Sequence, residues 1–79
     1  MIRWIHIPAM PGAGLPEQWH ARADGRSVAA VLREDTLTTW RAILSGPNGG
    51  LRAERFSALF LDHAKHEVEV SLYQMGWRS

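Results

Sequence analysis

Residues 51–65, LRAERFSALFLDHAK, admit two readings, and the choice between them decides the fold. As a helix, the segment puts Ala53, Phe56, Leu59, Phe60 and Ala64 on one face and Glu54, Arg55, Asp62 and Lys65 on the opposite one. As a strand, Arg55 to Leu61 would form a hairpin with residues 67–73 across Asp62 to His66. The polar residues segregate at a period of 3.6 and not at a period of 2, which favours the helix. Beyond it, residues 67–73 alternate: Val68, Val70 and Leu72 point one way, Glu67, Glu69, Ser71 and Tyr73 the other. That is the pattern of a half-buried strand.

Upstream, Asp35 or Thr36 is placed to cap a second helix, with Glu34 and Asp35 near its positive dipole end. Leu37, Trp40 and Leu44 then fall on one stripe with Ile43 beside it, and Ser45-Gly46-Pro47 reads as the stop. Further back, Asp24-Gly25 is a preferred centre for a type I′ hairpin turn. Pairing outward from it sets Ala23 opposite Arg26, Ala21 opposite Val28 and Trp19 opposite Ala30. One face then carries Trp19, Ala21, Ala23, Val28, Ala30 and Leu32. The other carries Gln18, His20, Arg22, Ser27, Ala29, Val31 and Arg33. Residues 2–7 read as a strand apolar on both sides that ends at Pro8, and residues 8–16 as an irregular proline- and glycine-rich connection. The predicted architecture is α+β, a single compact domain over residues 1–79. An antiparallel sheet of three to four strands, including the 18–33 hairpin, is packed on one face by two helices.

The chain has 79 residues and no cysteine, so disulfides and thiolate zinc sites are excluded. Four tryptophans, Trp4, Trp19, Trp40 and Trp77, are the visible means of filling a small core. Trp19 and Trp40 fall on faces that need burial. Trp77, in the C-terminal tail with Met75, has no core position and is the tryptophan read as a binding anchor. Met10, Leu15 and Met75 share that ambiguity, as an accessory cluster or an exposed patch. The net charge of +1 points to no polyanionic partner. The N-terminus lacks the apolar core of a signal peptide and no apolar run reaches the roughly 20 residues of a membrane span. A soluble cytoplasmic protein, complete as a small open reading frame and without a membrane partner, is expected.

Motifs for chemistry are missing. The glycine-rich stretches 12–14 and 46–50 lack the strand-to-helix setting of a dinucleotide loop and the lysine of a phosphate loop. No serine sits in Gly-x-Ser-x-Gly. His63 and His66, three apart, could share a metal on a helix, but two ligands make no site and His6 and His20 have no reason to converge there. No catalytic residue, metal site or cofactor is therefore assigned. The hairpin face with His20, Arg22 and Arg33 is the candidate partner-binding surface, together with Trp77. The expected function is a small non-enzymatic protein-binding module acting by steric occupation of a partner. That class includes phage- or mobile-element-encoded inhibitors such as anti-CRISPR proteins. The alternative is a nucleic-acid-binding protein using the same basic face, and a homodimer is compatible with the small size.

Overall fold

The computed structural model describes residues 2–34 and 38–78. Five strands form one antiparallel meander, β1 (Arg3–Ile7), β2 (Gln18–Ala23), β3 (Arg26–Arg33), β4 (Thr39–Ser45) and β5 (Leu51–Ser57), in sequential order. A helix, α1 (Leu61–Gln74), follows, and a short 3-10 turn (Pro11–Ala13) lies between β1 and β2.

The expected sheet of three to four strands under two helices is thus corrected to five strands and, among the described residues, one α-helix. Residues 39–45 are strand: Trp40, Ala42 and Leu44 are buried while Arg41 and Ile43 are exposed. A spacing of four, as between Trp40 and Leu44, satisfies a helix and a strand alike, and Ala42 between them breaks the tie. The proposed cap at Asp35 or Thr36, and Leu37 of the supposed stripe, lie outside the described residues. Ser45-Gly46-Pro47 opens a hairpin turn instead of ending a helix. Gly46 N–H donates to the Gly50 carbonyl at 2.7 Å, and Gly49 takes a positive φ of 83°.

Residues 51–57 are likewise strand, paired with β4 rather than with 67–73. Residues 67–73, read as a strand, are helix. Ala64, Val68 and Leu72 are buried and Leu61 and Met75 pack against the core, a stripe advancing in steps of three and four. Val70, counted inward in the strand reading, is exposed.

The β2–β3 hairpin forms on Asp24-Gly25, both at positive φ (54° and 78°) as a type I′ turn requires. Its register departs from the simple pairing by one residue. A bulge at Ala21/Arg22 sets Ala21 opposite Ala29 and Trp19 opposite Val31. Because side chains alternate, one extra residue on β3 moves everything beyond it to the other face. Val28 and Ala29 are both buried, Val31 follows them inward, and Ala30 and Leu32 turn to the side of His20.

The core lies between the inner sheet face and α1, which packs chiefly on β4. Burying Val68 and Leu72 contributes about 1.5–3 kcal/mol each. The tryptophans tie the layers together. Trp4 Nε1–H donates to Glu69 on α1 at 2.7 Å, and Trp40 Nε1–H to the Ala58 carbonyl at 3.0 Å. Trp19 tilts against Trp40 with ring centroids 5.7 Å apart. None of the three cations seated over indole rings is a sequence neighbour of its tryptophan: Arg26 lies over Trp77, Arg33 over Trp40 and Lys65 over Trp4. Met75 packs against the core, whereas Met10 and Leu15 are exposed and bridge each other through their backbones.

Candidate functional site

With α1 on one face of the meander, no element among the described residues covers the side chains of the other face. Their order follows from the strand registers. The central row runs Ile5, His20, Ala30, Ile43, Ala53, one residue from each strand. On one side of it lies the row Ile7, Gln18, Leu32, Arg41, Arg55. On the other lie Arg3 and Arg22, directly opposed on β1 and β2, and Ser45 and Leu51, opposed on β4 and β5.

The middle of this face is accessible and, apart from His20, apolar. Ile43 is 61% exposed, Leu51 77% and Ile5 43%. Alanines at positions 30 and 53 flank Ile43 in the row, so its side chain stands between two low points. A shallow concavity of about 300 Å³ lies beside it, its lining including Gln18, Ala30, Leu32, Arg41, Ala53 and Glu54. A second, of about 180 Å³, lies toward Ser27, Ser45 and Leu51.

The charged side chains on the outward strand positions lie at the rim and are all cationic. The outward positions of the five strands hold Arg3, Arg22, Arg41 and Arg55 and no acid. Glu34, just past β3, accepts a hydrogen bond from Arg55 Nε at 2.7 Å and lies 3.9 Å from Arg41 Nε. The corner formed by Arg41 and Arg55 is therefore partly neutralised, and the Arg3–Arg22 corner has no such carboxylate among the described ion pairs. His20 Nε2 bonds the Gln18 side-chain carbonyl at 2.8 Å, and Arg22 Nη2 donates to the Gly25 carbonyl at 2.6 Å.

The expected binding residues separate. His20 and Arg22 stand on the open face. Arg33 does not: the bulge sends it to the helix side, where its guanidinium carbon sits 4.6 Å from the Trp40 ring centroid. Trp77 is a core residue at 7% exposure, its Nε1–H donating to the Ser45 carbonyl at 2.7 Å. Gly76, at φ 117°, turns the chain back so that Trp77 N–H reaches the Leu72 carbonyl, a Schellman-type helix end. Ile5, Ile43, Ala53, Arg3, Arg41 and Arg55 escaped the sequence reading. For Arg41 and Ile43 the signal was their alternation with Trp40, Ala42 and Leu44, which the helix assignment hid; Arg3 and Ile5 lay on a strand correctly read, without a sign of which face stays open.

The remaining histidines form no cluster. His63 lies 3.4 Å from Glu67 along the helix, and His6 contacts Glu17 at 2.6 Å while stacking on Trp19. Among the described residues no three metal-ligating side chains gather, and no helix is long and apolar enough to cross a membrane. No protein-family model matches the chain, and no curated protein or solved structure shows significant similarity to it.

Proposed function

We propose that the chain is a protein-binding module that docks through the open face of its sheet and acts by covering part of a partner. One observation carries this reading: a row crossing all five strands, apolar on every strand but β2, where it holds His20, rimmed by arginines and, among the described residues, with no element laid over it. A desolvated apolar centre inside a polar rim is the anatomy of protein interfaces, and arginine is among the residues enriched there. The excess of cations favours an acidic rim on the partner.

Nucleic acid is the second reading, because the same four arginines would meet phosphates. The outward strand positions carry no tryptophan, tyrosine or phenylalanine, since Trp4, Trp19, Trp40 and Phe56 all point to the helix side, and His20 is their one ring. The face therefore lacks the stacking platforms on which single strands are held.

A photo-cross-linking amino acid placed at Ala53, compared with one at Tyr73 on α1, tests the proposal in native cells. Cross-links to a protein are expected from position 53 and not from position 73, and Ile43→Glu should abolish them. Equal capture from both positions would remove the face from consideration. Binding of labelled oligonucleotides that falls steeply with salt would put the second reading in its place.

A further inference from the structure

Arg3 and Arg22 face each other across β1 and β2. Directly opposed residues on antiparallel strands have Cβ atoms about 4.5–5.5 Å apart, where like charges repel. The other six arginines divide between compensated and free. Arg41 and Arg55 share Glu34, Arg52 has Glu54, and Arg26 and Arg33 lie over indoles, so that, apart from Arg3 and Arg22, Arg78 in the tail remains. Among the described residues neither Arg3 nor Arg22 has an acid within ion-pair distance. The pair also borders a cleft of about 290 Å³, lined by Arg3, Ile5, Arg22, Asp24 and Gly25 together with parts of Trp4 and Ala23. Arg22 is anchored there by its bond to the Gly25 carbonyl, which spends one of its five N–H groups and leaves the others available.

We propose that the Arg3–Arg22 cleft is a carboxylate receptor that takes an acidic side chain of the protein docked on the open face. Two guanidinium forks and the Asp24 carboxylate in the lining sum to one positive charge. A single carboxylate balances that charge, whereas a phosphomonoester, at about −1.5 to −2 near neutral pH, overshoots it beside Asp24; a phosphodiester would match it in charge, but the face offers few rings on which bases stack. The cleft shares Ile5 with the apolar row, so an aspartate or glutamate at the edge of an apolar partner patch reaches the arginines as the patch settles on Ile43. The source of the carboxylate rests on the docking reading; the receptor itself does not.

The test has two arms. In the first, N-acetylglutamate α-amide, which carries one side-chain carboxylate, is titrated into the isolated protein at constant ionic strength, with inorganic phosphate as comparison. The amide resonances of Ile5, Arg22 and Gly25 should shift saturably with the carboxylate probe. Arg3→Gln should weaken binding about tenfold, the loss of one charge-assisted hydrogen-bonded group. Absence of saturation, or identical behaviour in Arg3→Gln, overturns the receptor, and tighter binding of phosphate overturns the carboxylate assignment. In the second arm, Arg3→Gln is combined with the cross-linker at Ala53. Reduced capture supports the assignment of the carboxylate to the partner. Capture that is unchanged although the probe no longer binds overturns that assignment and leaves docking standing. Failure to capture any protein from position 53, with the probe bound normally, overturns docking and with it the source, not the receptor.

Discussion

Three of the four indoles use the N–H to join parts of the chain distant in sequence, and Trp77 shows how much rests on one such side chain. Its ring is buried under Arg26, and its N–H satisfies the Ser45 carbonyl at the end of β4. Trp77→Ala removes a buried ring and leaves that carbonyl without its donor. The expected cost is about 3–5 kcal/mol, comparable with the whole stability of a domain this small. Trp77→Phe keeps most of the volume and loses the bond, for about 1–3 kcal/mol. Urea denaturation followed by far-UV circular dichroism separates the two, and equal midpoints for Trp77→Ala and the parent would place the ring outside the core. Gly76 sets up this arrangement. A Cβ there would lie 3.1 Å from Pro47 Cγ on a backbone at φ 117°, so Gly76→Ala should also lower the urea midpoint, by at least about 1 kcal/mol in free energy. The role of Trp77 was illegible in the sequence because it depends on a reversal at Gly76 and a carbonyl 32 positions upstream, neither of which leaves a periodic trace.

The elements were legible where local chemistry decides and illegible where tertiary packing does. Asp24-Gly25 dictates its turn through positive φ, and β1 and the β2–β3 hairpin stand where the residues put them. The two misread regions fail for one reason: residues spaced by four lie on one side of a helix and also on one side of a strand. Trp40 and Leu44 belong to a strand, Val68 and Leu72 to a helix, and the same spacing describes both pairs. What separates them is the longer run, since Leu61, Ala64, Val68, Leu72 and Met75 continue over four turns while Trp40 to Leu44 stops at glycine and proline. Half the site was lost with β4, and Arg33 was misplaced because a bulge is written in no residue of β3. Helix α1 itself is poorly started: Phe60 occupies its N-cap in extended geometry, 72% exposed, with no side-chain hydrogen bond to the first turn. Phe60→Asp supplies the missing acceptor and a favourable charge at the dipole's positive end, and should raise stability by about 1 kcal/mol. A thermal melt that moves downward would mean that the Phe60 ring holds the helix in place.

At the scale of the molecule, the sheet divides the chain into a face that folds it and a face that folding does not use. Val68 and Ile43 are aliphatic residues on opposite sides of that division, one fully buried under the sheet and one 61% exposed on it. Val68→Asp places an unpaired charge between α1 and the sheet, where the helix packs chiefly on β4, and should cost upward of about 3 kcal/mol. The loss should be global, because detaching α1 uncovers the whole inner face, so circular dichroism and tryptophan fluorescence should fall in one transition. Ile43→Glu lies on the sheet face opposite α1, and should move stability by no more than about 0.5 kcal/mol. It should nonetheless end docking, since it puts a charge at the centre of the apolar row, while its neighbours across the sheet, Ala30 and Ala53, are too small to shield it. The pair of measurements is decisive only together. If Ile43→Glu unfolds the protein, the row is a second core and its exposure reflects a missing cover. If it leaves both stability and capture intact, the row is a solvated surface and the partner binds elsewhere.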